Sequence, residues 1–159
     1  MKVTVRVQGL DGAIYKLDAY SLDLQEKGKQ ICERLASLGA LHASLGFSRA
    51  LYEGIGSADI TAEPTDNGYA ILASGTAVLF LEFGAGVTMG YGHPQAAEFG
   101  YGPGTYPGKG RWDNPKGWWF TGAQGSQHSY GNPPNMAMYN AAKEIEREVE
   151  RVAREVLAT

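Results

Sequence analysis

A single cysteine, Cys32, in 159 residues excludes an internal disulfide framework and any metal site built from several thiolates. The three histidines, His42, His93 and His128, are scattered, and no HExxH, paired CxxC or acidic cluster at ligand spacing accompanies them. Neither a metal nor a cofactor is expected. No stretch approaches the roughly eighteen consecutive apolar residues of a membrane span. The opening residues Met1–Arg6 have no apolar leader region, so the expectation is a protein made in a cytoplasm with no membrane partner. Nor is there an excess of one charge. Fourteen Lys and Arg against 17 Asp and Glu give a net charge of −3, which excludes a surface devoted to nucleic acid. Apolar residues, at 43 %, are too many for a disordered chain.

What is abundant is glycine, and it is unevenly placed. Thirteen of the 22 glycines lie between Gly84 and Gly131, together with all three tryptophans and nine of the 17 aromatic residues. The length fits one domain, residues 1–159, in which an ordinary frame (1–83 and 132–159) carries a Gly/aromatic loop insertion over 84–131.

The frame is read from its periodicity. Val3, Val5 and Val7 alternate with polar residues, as in a half-buried strand. Leu10, Ile14, Leu17, Ser21, Leu24, Gly28, Ile31, Leu35 and Leu38 then follow 4-3-4-3 spacing. This predicts a helix from about Asp11 that stops at Gly39, with Ser21 and Gly28 as places of close approach or bending. A strand at Ile14–Leu17 after an Asp11-Gly12 turn is the competing reading. Leu41, Ala43, Leu45 and Phe47 alternate as a strand would. Ile60–Glu63 and Tyr69–Leu72 flank a turn in which Asn67-Gly68 supplies positive φ. Thr76–Phe83 fits either a strand or two helical turns. Met138, Ala142, Ile145, Val149, Val152 and Val156 predict a closing helix, capped by Asn135 and laced by Glu150–Arg154 and Glu148–Arg151 pairs. The fold class is α+β: a long N-terminal and a C-terminal helix packed on a small antiparallel sheet. The two stripes serve core packing or, being narrow, a helix–helix contact between subunits.

No catalytic constellation emerges. Gly84–Gly90 follows an apolar run as a dinucleotide fingerprint does, but Tyr91-Gly92-His93-Pro94 cannot open the helix such a site requires. Gly125-Ser126-Gln127 lacks the strand and helix of a nucleophile elbow. The protein is not read as an enzyme. The loop aromatics call for cover, because burying them returns less than ordering the loop costs, and leaving them in water invites aggregation. Tyr101, Tyr106, Trp112, Trp118, Trp119 and Phe120 are therefore the expected protein-interface residues. The alternative is a binding module whose aromatics stack on carbohydrate or, with Lys109, Arg111 and Lys116, on single-stranded nucleic acid.

Three places together resemble a known family. Leu81-Glu82-Phe83-Gly84-Ala85-Gly86 resembles the E-F-G motif of tailed-bacteriophage neck proteins, and the Pro133-Pro134 stretch with Met136 resembles the P-x-P element leading into their last helix. Here the two prolines are adjacent. Gly117-Trp118-Trp119-Phe120 and the Tyr101–Lys109 stretch resemble a long variant from phages and prophages of Gram-positive bacteria. The resemblance covers roughly residues 5–157. It implies a non-enzymatic virion protein of the head–tail connector or tail-completion region, synthesised in a host bacterial cytoplasm. It also implies self-association in a ring, contact with neighbouring connector or tail proteins, and passive contact with DNA in a lumen. Glu82, Phe83, Gly84, Pro133, Pro134 and Met136 carry the motif.

Overall fold

The computed structural model describes residues 10–50, 58–101, 114–122 and 125–158. Their elements run α1 (Leu10–Ser48), β1 (Asp59–Thr65), β2 (Gly68–Ser74), α2 (Val78–Phe83), β3 (Trp118–Gly122), β4 (Gly125–Ser129) and α3 (Ala137–Leu157). The class is α+β. Its strands form two separate antiparallel hairpins, β1–β2 and β3–β4. The Val3–Val7 strand expected from alternation lies outside the described residues.

Helix α1 overrides two sequence expectations. It passes through Gly39 and through the supposed strand at Leu41–Phe47, reaching Ser48 after 39 residues, about 58 Å at 1.5 Å per residue. Gly39 is a point of close approach rather than a stop: a Cβ there would lie 2.5 Å from Ile145 Cδ1 and from Ile71 Cδ1. Gly46 does the same against α3, with Ala137 Cβ 2.7 Å from the position its own Cβ would take. The alternation at 41–47 is two helical faces interleaved. Ala43 and Phe47 are buried one turn apart, whereas Leu41 and Leu45, also one turn apart, are exposed. The deepest line of α1 is Ala36, Gly39, Ala43 and Phe47, while Ile31, Leu35 and Leu38 of the expected stripe are half-buried. A 3.6-residue helix that is not supercoiled rotates away from a strict heptad in this way. Gly28 has nothing within 4 Å of where its Cβ would be, so no close contact forms there.

Hairpin β1–β2 forms about the predicted turn, with Ala62 opposite Ile71 and Thr65 opposite Gly68. The two loop residues are thus Asp66 and Asn67, and positive φ (153°) falls on Gly68 rather than on Asn67. Pro64 is tolerated because a two-stranded sheet leaves it an open edge. Thr76–Phe83 resolves into a turn and the short helix α2.

Helix α3 lies against α1, with small residues at the contact: Ala137 and Ala141 are buried beside the Gly46 end of α1. Its buried face is Ala137, Ala141, Val152 and Val156; of the expected stripe Met138 and Ile145 are half-buried, Ile145 against Gly39, whereas Ala142 and Val149 are exposed. The outer face is a ladder of ion pairs: Lys143–Glu146, Arg147–Glu144, Arg151 with Glu148 and Glu155, and Arg154–Glu150. The Glu146 carboxylate holds the Lys143 ammonium above its ordinary pKa, and Glu148 with Glu155 does the same for Arg151. Water screens these exposed pairs, so each adds little to stability. Arg34 and Glu155, 3.8 Å apart, tie α1 to the far end of α3. The core sits where the C-terminal end of α1, α2 and the start of α3 meet: Phe47, Ala77, Val78, Leu81 and Ala137, flanked by Ile60, Ala73 and Met138.

Candidate functional site

The family-motif residues converge on one node. Glu82 is the lone charge in the apolar run Ala77–Phe83, and it is 4 % exposed. Its carboxylate accepts the backbone N–H of Met138 at Oε2 (2.8 Å) and that of Tyr139 at Oε1 (2.9 Å). It therefore caps α3 from another element, satisfying two of the four orphan donors and placing negative charge at the positive end of the helix dipole. The Asn135 cap predicted from sequence is not used. Met136 is the capping residue, at φ 57°, and no side chain of its own end caps the helix.

A third donor reaches Glu82. His93 Nε2 lies 3.2 Å from Oε1, and His93 Nδ1 accepts the Gln95 N–H at 3.2 Å. An acceptor at Nδ1 places the imidazole proton on Nε2, so the neutral ring donates to the carboxylate. The His93 ring packs 4.4 Å from Phe83 and edge-on to Tyr139, and Tyr101 packs on Phe83 at 4.5 Å. Through this latch the chain following α2 is pinned to both helices.

The polypeptide at 130–136 closes the node from the other side. Ala85 and Asn132 exchange backbone hydrogen bonds at 2.9 and 3.0 Å, and Asn132 Nδ2 donates to the Phe80 carbonyl at 2.7 Å. Asn135 N–H donates to Leu81 O and Met136 N–H to Glu82 O, which satisfies the last carbonyls of α2. So α2 and α3 cap each other: N–H groups at the α3 entry donate to the carbonyls of α2, and the Glu82 carboxylate of α2 accepts from the first N–H groups of α3. Gly84, at φ 77°, permits this approach, since a Cβ would lie 2.8 Å from Asn132 O and from Pro134 N. Glu82, Phe83, Gly84, Pro133, Pro134 and Met136 are thus brought together, and what they do there is architectural. Both Glu82 carboxylate oxygens are occupied by hydrogen-bond donors: the Met138 and Tyr139 N–H groups and the His93 ring. Among the described residues no group of three or more His, Cys, Asp or Glu side chains is placed to hold a metal ion.

The expected interface aromatics divide. Trp118 is only 6 % exposed and lies beside Gly86, whose Cβ would be 3.1 Å from Trp118 Cζ3. It is a core side chain of its own chain, which corrects the expectation of an interface anchor. Tyr101 and Phe120 are half-buried. Trp119, the next residue on β3, points the other way and is 65 % exposed, as strand alternation requires. It pairs across the hairpin with His128, whose ring lies 5.0 Å from it and 4.7 Å from exposed Tyr130. Tyr106 and Trp112 lie outside the described residues.

Among the described residues a longer run of exposed apolar side chains lies elsewhere. Every residue from Asp11 to Glu26 of α1 is exposed, including Ile14, Tyr15, Leu17, Tyr20, Leu22 and Leu24, with Leu17 at 67 %. Ile14, Leu17 and Leu24 form one stripe, and Tyr15 with Leu22 a second on another side. A helix apolar on more than one side is one that is normally covered. The heptad spacing announced this stripe, but nothing in it told which half α3 leaves bare. The Glu82 latch had one sequence signal, a carboxylate alone in an apolar run, which needs buried partners.

No protein-family model, no curated protein and no solved structure matches the chain. No helix among the described residues is long and apolar enough to cross a membrane.

Proposed function

We propose that the chain is a structural protein of a tailed-phage virion, joining head to tail or completing the tail through ring-type self-association and contact with neighbouring neck proteins. The observation that carries this reading is the bare apolar length of α1 from Ile14 to Leu24, a surface whose exposure on a lone monomer favours association. The convergence of the motif residues on one node supports the family resemblance, because the spacing of the two motifs then has a folding reason. The role is non-catalytic, and its working parts are surfaces.

Negative-stain electron microscopy of the purified protein tests it. Closed rings of one diameter are expected. Isolated single particles at every concentration would contradict the reading. The exposed Trp119 and Tyr130 rings, with the half-buried His128 ring between them, favour a second reading, stacking on carbohydrate or single-stranded nucleic acid. Saturable quenching of tryptophan fluorescence by glycans or oligonucleotides would favour it over the first.

A further inference from the structure

We infer that the contact between copies is head-to-tail: the N-terminal half of α1 of one copy lies in a groove at the opposite end of α1 of the next. The inference rests on the self-association proposed above and names its two surfaces. The first is the exposed stretch Asp11–Glu26. Beside its apolar stripes it carries Asp11, Asp18, Asp23 and Glu26 against Lys16 alone, four negative charges and one positive, a net of −3. The second is a groove of about 300 Å³ between the last turns of α1 and the first turns of α3, lined by His42, Leu45, Gly46, Arg49, Asn135 and Asn140 among others. Among the described residues no acidic side chain lines it, and Arg49 has no ion-pair partner.

The two surfaces complement each other in chemistry. Leu45 is exposed at the groove, and Leu41, one turn before it on α1, is exposed as well; both offer apolar surface to Ile14, Leu17 and Leu24. Arg49, with His42 a second potential cation, faces the acidic flanks of the incoming helix. A helix laid between two helices repeats the packing that α1 and α3 already use, ridges into grooves, and follows the helix-in-groove mode of recognition. The surfaces are different patches at opposite ends of one helix, so the contact is heterologous. A repeated heterologous contact closes into a ring or runs on as a filament, whereas a contact of the bare helix with itself stops at a dimer.

Two full-length variants test this. Leu17→Glu with Leu24→Glu spoils the helix and leaves the groove. Leu45→Glu with Arg49→Glu spoils the groove and leaves the helix. All four side chains are exposed, so circular dichroism of both variants should match wild type. Light scattering after size exclusion is expected to give an oligomer for wild type and the single-chain mass for each variant alone. Mixed one to one, the variants should give twice the chain mass and nothing larger, because one intact helix meets one intact groove and the growing ends are then dead. A groove variant that still associates as wild type does would overturn the inference and leave self-association standing. A helix variant that does so would overturn it equally, as would a mixture that stays at the single-chain mass. A wild type that is itself a single chain would remove the self-association reading and the inference together.

Discussion

The N-terminal half of α1 and the segment from Gly84 to Gly131 exchange the roles their sequences suggest. A long apolar heptad reads as core, yet its first half, Asp11–Glu26, stands in water for about 24 Å. A Gly-rich aromatic stretch reads as a loop reaching for a partner, yet where it is described it folds back. Gly84, Ala85, Gly86 and Gly90 are buried, His93 is latched to Glu82, and β3–β4 forms a hairpin with Trp118 inside. Periodicity reports which side of an element is apolar, whereas cover depends on where the neighbouring element ends. Helix α3 has 21 residues and α1 has 39, so the shorter helix leaves the longer one uncovered.

Substitutions that separate folding from association sharpen this contrast. Trp118→Ala should cost about 3–5 kcal/mol of monomer stability, the usual range for deleting a buried Trp, and lower the thermal midpoint by many degrees. A variant that unfolds like wild type but no longer associates would return Trp118 to the surface role. Glu82→Ala removes the acceptor of two helix N–H groups and of His93, and about 3 kcal/mol is expected from denaturant unfolding. Gly84→Ala should cost roughly 2 kcal/mol through its positive φ and the backbone 2.8 Å away, an effect measurable in the same titration. On the bare helix, Leu17→Glu should change stability by less than about 0.5 kcal/mol while abolishing concentration-dependent growth in mass. Trp119→Ala is expected to be the mildest, within about 0.5 kcal/mol in thermal melts, since its ring is mostly in water.

Legibility follows the range of the interactions. Hairpin β1–β2 is legible because its turn residues are local, and the α3 ion pairs because they lie three and four residues apart. The end of α1 is not legible locally, because Gly39 is a stop only where no neighbour needs the space of its missing side chain, and Ile145 and Ile71 occupy that space. The stripe of α3 was displaced at its start because Met138 turns toward α2 while Ala137 and Ala141 take the α1 contact. The motif residues were named from sequence, but their work was not, since the partners of Glu82 lie 11, 56 and 57 positions away. Only the fold brings such residues together.

The central claim is that the N-terminal half of α1 is a contact surface, and amide hydrogen exchange measured at several protein concentrations tests it most directly. Protection of Ile14–Leu24 should rise with concentration while that of the α3 interior, Ala141–Val152, stays constant. Exchange at Ile14–Leu24 that is fast and independent of concentration would contradict the account.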